Sequence, residues 1–76
     1  MRVIIKAPLM GERIIELFNN KNVADCTFTF QEKKGMELYF AVEGPLSLEE
    51  IVALVKKTIK NTEFGKGIYI AVLAED

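Results

Sequence analysis

The sequence contains no histidine and no tryptophan, and it has one cysteine and two prolines in 76 residues. The missing histidine removes the usual general base, the commonest side-chain ligand of transition metals and every histidine-containing catalytic triad. The single cysteine, Cys26, excludes an internal disulfide. These absences favour a protein that is not an enzyme, with no catalytic residues, no cofactor and no metal site.

Long hydrophobic runs and a strong net charge are also lacking. No apolar run approaches the ~20 residues of a membrane span, and Lys6 interrupts the apolar amino-terminal stretch before it reaches the length of a secretory signal. The formal net charge is −1, which does not suit a binder of polyanions such as nucleic acid. We therefore expect a cytoplasmic protein that binds neither membranes nor nucleic acid.

The composition that remains is typical of a small folded domain. Half of the residues are hydrophobic and 28% are charged, which is globular rather than disordered. The length predicts one domain spanning residues 1–76. No linker, low-complexity segment or tandem repeat divides the chain.

Six segments show the periodicity of a strand or a helix. In the second and third strands apolar and polar residues alternate, and Gly35 lies between them where a short hairpin needs a positive φ. Ser47 and Glu50 have the spacing of a capping box at the start of the second helix. The predicted strands are residues 2–7, 24–32, 36–43 and 68–74, and the predicted helices run from Met10 to Phe18, burying Met10, Ile14, Leu17 and Phe18, and from Leu48 to about Lys60.

This β-α-β-β-α-β order predicts an α+β, ferredoxin-like fold. Its four-stranded antiparallel sheet has strand order 4-1-3-2 and carries both helices on one face. The order and the length resemble the shape of small regulatory domains of the ACT type, and that resemblance implies a ligand-sensing domain. The RNA-recognition signature is not matched, because Met36, Glu37 and Leu38 stand where it requires aromatic, small and aromatic residues.

The glycine-lysine-glycine stretch at residues 65–67 raises the question of a phosphate-binding loop. A Walker-type loop lies between a strand and a following helix, whereas this stretch follows a helix and precedes a strand. The predicted topology nevertheless brings three connections with several lysines to one end of the sheet, beside the amino terminus of the first helix. A small anion is therefore predicted to bind there, at Gly11, Arg13, Lys34 and Lys66; the alternative is a solvated rim of lysines.

The last predicted strand, residues 68–74, has no polar residue among seven although the topology places it at an edge of the sheet. An apolar edge without charge or proline invites pairing with another chain. The leading interpretation is thus a non-catalytic interaction module that forms a homodimer, or binds a larger protein, through this strand or the open sheet face. The predicted interface residues are Ile4, Tyr39, Tyr69, Ala71 and Leu73.

Cys26 is in phase with Phe28 and Phe30, which predicts a buried, inert thiol.

Overall fold

The computed structural model describes all residues from Met1 to Asp76. It has an α+β architecture, with two helices and one antiparallel sheet. The elements in chain order are β1 (Arg2–Lys6), α1 (Gly11–Phe18), β2 (Lys21–Val23), β3 (Cys26–Lys34), β4 (Glu37–Glu43), α2 (Leu48–Lys60) and β5 (Ala71–Glu75).

The sheet has five strands in the order β2-β3-β4-β1-β5, so the prediction of a four-stranded, ferredoxin-like sheet is wrong. The strands predicted as 4, 1, 3 and 2 lie side by side in that order, as β5, β1, β4 and β3, and β2 is an additional edge strand beside β3. Strand β1 lies between β4 and β5 and pairs with both, which is the neighbourhood expected for residues 2–7. The last strand begins later than predicted, at Ala71. Residues 68–70 instead belong to the connection after α2, where the Lys60 Nζ donates to the Ile68 carbonyl at 2.8 Å.

The unpredicted strand is β2, which forms a tight hairpin with β3. Val23 lies opposite Cys26, so Ala24 and Asp25 are the two turn residues, with φ values of 50° and 66°. Positive φ at both positions is the signature of a type I′ turn, for which Asn-Gly, Asp-Gly and Gly-Gly are the usual pairs. Because Ala24-Asp25 is none of these pairs, the local sequence did not reveal the turn.

A bulge in the β3–β4 hairpin changes which side chains face the helices. Phe30 lies opposite Phe40, yet Glu32 lies opposite Tyr39, so Gln31 is an extra residue on β3. After the bulge, the alternation of β3 is shifted by one residue, so odd-numbered side chains point to the face that even-numbered ones occupied before it. Lys33 therefore lies opposite the buried Leu38 on the helix-covered face, and Lys34 lies on the open face.

The core lies between the covered face of the sheet and one apolar stripe of each helix. Three aromatic rings form its centre, with the Phe18 centroid 4.9 Å from that of Phe28 and 5.9 Å from that of Phe40. Cys26 is buried, as predicted. Met10 was expected in the core, but it is the N-cap of α1, has a φ of 64° and is 47% exposed. The buried apolar residues are Val3, Ile5, Ala7, Ile14, Phe18, Cys26, Phe28, Leu38, Phe40, Val42, Ile51, Val55, Ile59 and Val72.

The capping box at the start of α2 is confirmed. The Glu50 backbone N–H donates to the Ser47 hydroxyl at 3.2 Å, and the Ser47 backbone N–H donates to the Glu50 carboxylate at 3.0 Å. The hydrogen bond that the Ser47 backbone N–H donates to the carboxylate lowers the pKa of Glu50 below its ordinary value, because it stabilises the ionised form.

At the other end of α2 the chain turns back tightly against the helix. The Thr62 hydroxyl donates to the Ile59 carbonyl at 2.6 Å and accepts from the Gly65 N–H at 2.9 Å. A Cβ atom on Gly65 would overlap the Ile59 carbonyl oxygen, whereas one on Gly67 would meet no atom within 4 Å. The first glycine of the glycine-lysine-glycine stretch is thus required for this close approach, and the second is not.

We expect Gly65→Ala to lower the free energy of unfolding by about 2–3 kcal/mol, since backbone atoms of the helix must move to accept the new methyl group. The matched variant Gly67→Ala should change it by less than about 1 kcal/mol, in either direction. Urea denaturation followed by circular dichroism measures both values. Equal effects of the two substitutions would contradict the different roles of the glycines.

Candidate functional site

The open face of the sheet brings together most of the predicted interface residues. Ile4 on β1 lies opposite Tyr39 on β4 and opposite Leu73 on β5, so these three side chains form one row across the sheet. Ala71 lies in the adjacent row beside Lys6. Tyr69 is outside the strand and is 75% exposed. Four of the five predicted residues therefore share this face, with Tyr69 at the entrance to β5.

On the β4 side, Tyr39 is surrounded by charged groups. Its hydroxyl donates to the Glu37 carboxylate at 2.8 Å. The Arg2 guanidinium and the Lys34 Nζ lie 5.3 and 5.5 Å from the centre of its ring, within the range of a cation–π contact. The hydrogen bond to Glu37, partial burial and the Glu37 charge raise the pKa of Tyr39 above its ordinary value of 10.0.

The charges around Tyr39 are compensated within the chain. Arg2 donates to the Glu75 carboxylate, with its Nε at 2.8 Å, and this ion pair raises the pKa of Arg2. The Lys6 Nζ lies 3.6 Å from a Glu37 carboxylate oxygen. Because ion pairs link β1 to β4 on one side and to β5 on the other, the open face is not a continuous apolar surface. Its apolar part is the pair of Ile4 and Leu73.

Strand β5 combines a free backbone edge with exposed apolar side chains. It pairs with β1 on one side only, and it ends the sheet on the other. Leu73, at its centre, is 58% exposed. An edge strand of this kind presents unpaired N–H and C=O groups to any extended chain that approaches.

A groove runs along β5 on the opposite, helix-covered side of the strand. Its volume is ≈ 340 Å³. All but one of its lining residues are hydrophobic, which suits the side chains of an added strand. The lining residues are Leu48, Glu49 and Val52 from α2 and Val72, Leu73 and Ala74 from β5.

Two of the four residues predicted to bind an anion at the basic end lie close to glutamates. The Lys66 Nζ lies 3.6 Å from the Glu63 carboxylate, and the Lys34 Nζ lies 3.9 Å from the Glu32 carboxylate on the open face. Arg13 is exposed on α1. Gly11 lies beside a lysine outside the predicted set, which is Lys33.

The lysine next to Gly11 was missed because the bulge in β3 reverses the side-chain alternation. The Lys33 Nζ lies 3.8 Å from the position that a Cβ atom of Gly11 would occupy. No side chain caps the amino terminus of α1. Free backbone N–H groups and a lysine thus meet at this point. The sequence carries no signal for the bulge that brings Lys33 to this position.

Other types of site are not formed. No group of three or more histidine, cysteine, aspartate or glutamate side chains is arranged to hold a metal ion. Neither α1 nor α2 has the length and apolar character needed to cross a membrane.

Comparison with protein-family models, with curated proteins and with solved structures finds no match.

The Tyr39 environment makes a testable prediction about pH. Tyr39 should titrate above pH 10.0, and Glu37→Ala should lower its pKa by removing both the hydrogen bond and the negative charge. Since the pKa is raised in the folded state, the associated stability is present below pH 10 and is lost as the pH rises through the raised value. Tyrosinate absorbance measures the titration, and Tyr39→Phe assigns the transition; a Tyr39 pKa unaffected by Glu37→Ala would contradict this environment.

Proposed function

We propose that this protein is a non-catalytic interaction module of the cytoplasm that self-associates through the free edge of strand β5. The observation that carries the proposal is the exposure of Leu73 at the centre of an edge strand whose outer backbone groups have no partner in the chain. Exposed apolar edges are avoided in proteins that remain monomeric, because they template pairing.

The two edges of the sheet differ in a way that supports this assignment. The opposite edge, β2, has three residues and begins with the exposed Lys21, which are two common features of a protected edge. Strand β5 has five residues, no proline and no lysine, and its one charged residue, Glu75, is paired with Arg2. Association through β5 is therefore favoured over association through β2.

The open face supports a contribution from Ile4 and Leu73 but not a broad apolar interface. Its β4 half carries the ion pairs around Tyr39, and burying them against another surface would cost desolvation free energy. The β5 edge offers backbone groups that have no protein partner to lose, and of these ion pairs only Arg2–Glu75 involves a residue of β5. Of the two association surfaces predicted from the sequence, the strand edge is therefore the better supported.

The test is a substitution at the centre of the edge. The wild-type chain should show a mass of twice 8.6 kDa at micromolar concentration in size-exclusion chromatography with light scattering. Leu73→Asp should shift it to the monomer, because dimerisation would then bury two carboxylates in an apolar contact. The matched control is Leu9→Asp, which changes a side chain that is 64% exposed and lies outside the sheet, in the connection between β1 and α1.

Circular dichroism spectra of both variants should match that of the wild type, since neither side chain belongs to the core. A wild-type chain that stays monomeric throughout the concentration range would overturn the self-association. If the chain is monomeric and instead binds a different protein, and Leu73→Asp abolishes that binding, then the partner of β5 is a larger protein rather than a second copy.

A second candidate function is binding of a small anion at the amino terminus of α1. The observation that favours it is the position of the Lys33 Nζ beside Gly11, next to the uncapped backbone N–H groups of the helix. Lys33 takes the place of Lys34 and Lys66 in the proposed anion site, because the ammonium groups of those two lysines lie close to glutamates.

Titration with inorganic phosphate, followed by NMR of backbone amides, tests this second function. We expect shifts concentrated at residues 11–13, and Lys33→Gln should weaken the binding about fivefold, since one charged contact is lost. The control Lys56→Gln removes the same charge from α2 and should leave the binding unchanged. Shifts scattered evenly over the chain would exclude the site.

A further inference from the structure

The outward-facing backbone groups of β5 can be identified from the ladder of its neighbour. The Ala7 N–H donates to the Met36 carbonyl at 2.9 Å, and the Val42 N–H donates to the Met1 carbonyl at 2.8 Å. The odd-numbered residues of β1 thus bond to β4. Because backbone direction alternates along a strand, the even-numbered residues bond to β5. Ile4 therefore bonds to Leu73, and the N–H and C=O groups of Val72 and Ala74 point to the free edge.

We infer that two copies of this chain pair their β5 strands in antiparallel orientation about a two-fold axis at Leu73. This inference rests on the proposed self-association and specifies its register. Val72 of one copy then lies opposite the partner's Ala74, and the reverse pair follows by symmetry. Each pair exchanges two hydrogen bonds, so four backbone bonds join the sheets into one of ten strands.

The length of β5 selects this register among the alternatives. Leu73 is the middle residue of a five-residue strand, so an axis at Leu73 gives every residue a strand partner. An axis at Val72 or at Ala74 would leave two of the five residues without one. A shift of the pairing by a single residue would also place side chains on the wrong face of the partner sheet.

Side chains on the open face are complementary in this register. Leu73 meets the partner's Leu73, and Ile4 flanks the pair on each side because it lies opposite Leu73 on β1. Apolar contact therefore occupies the centre of the interface. On the other face, the small Ala74 lines the groove along α2, and the partner's strand would lie beside it, while each Val72 stays in the core of its own chain.

Charges at the ends of the paired strands are also complementary. Ala71 lies opposite the partner's Glu75, and Lys6 lies opposite Ala71 on β1. Within each chain Lys6 lies 3.6 Å from Glu37 and Glu75 is bonded to Arg2, so the partner's Glu75 would be a second carboxylate near Lys6, across the small Ala71. The two Glu75 residues lie at opposite ends of the pair, about 13 Å apart along the strands, which is beyond the Debye length of about 8 Å. Pairing thus brings opposite charges together and keeps like charges apart.

Cysteine cross-linking tests the register directly. In Leu73→Cys the two introduced residues face each other in a non-hydrogen-bonded pair, with Cα atoms about 4.5 Å apart, which a disulfide can bridge. In Ala71→Cys they are about 13 Å apart and should not react. The wild-type chain controls for Cys26, which is buried. Under mild oxidation at a concentration that gives dimers, we expect a covalent dimer from Leu73→Cys alone.

The outcomes separate this inference from the proposed function. A wild-type chain that is monomeric by light scattering overturns both. A wild-type dimer in which Leu73→Cys does not cross-link, or in which Ala71→Cys does, overturns the register and leaves the self-association standing. Circular dichroism confirms that each variant is folded, which is expected because Leu73 and Ala71 lie outside the buried core.

Charge reversal gives an independent measurement of the same geometry. Lys6→Glu would place a carboxylate beside the partner's Glu75 at both ends of the interface, and we expect about tenfold weaker dimerisation by analytical ultracentrifugation. Lys21→Glu makes the same change on the opposite edge strand and should leave the dimer unaffected. Equal dissociation constants for the two variants would overturn the proposed contact between Lys6 and Glu75.

Discussion

Backbone hydrogen bonding along strand β1 is the constraint on which the rest of the structure depends. The odd-numbered residues of β1 bond to β4 and the even-numbered residues bond to β5, so β1 holds the two halves of the chain in one sheet. The same alternation brings Ile4, Tyr39 and Leu73 into one row and turns the outer groups of Val72 and Ala74 to solvent. The interface proposed for β5 follows from this geometry.

Charge compensation inside the chain decides which part of the surface is available to a partner. Ion pairs involving Lys6 and Lys34 occupy the β4 side of the open face, and Arg2 lies between the Tyr39 ring and Glu75 on β5. What remains is the apolar strip of Ile4 and Leu73 at the edge. A nearly neutral chain with several charged side chains can thus present an apolar contact, because the two cations of β1 that flank it, Arg2 and Lys6, are paired with Glu75 and Glu37 on the neighbouring strands.

Part of the candidate site could be predicted from alternation alone. The period of two in β1 and β4 was enough to assign Ile4 and Tyr39 to the open face, and the apolar run at the end of the chain was enough to indicate Ala71 and Leu73. The position of Lys33, rather than Lys34, beside Gly11 could not be predicted, because one extra residue in β3 exchanges its faces without a glycine or proline to mark it. Tyr69 was assigned to the last strand because the residues around it are apolar, but the turn after α2 extends far enough that the strand begins only at Ala71.

The sequence by itself determined the elements whose signals are local. These are the capping box of α2, the positive φ of Gly35 and the buried faces of the regular strands, where neighbouring residues suffice to set the conformation. Only the tertiary structure decided the strand count, the bulge and the lysine beside Gly11. A three-residue strand has too few residues to show a period, and a bulge is set by contacts between segments distant in sequence. Local propensity carries no information about such contacts.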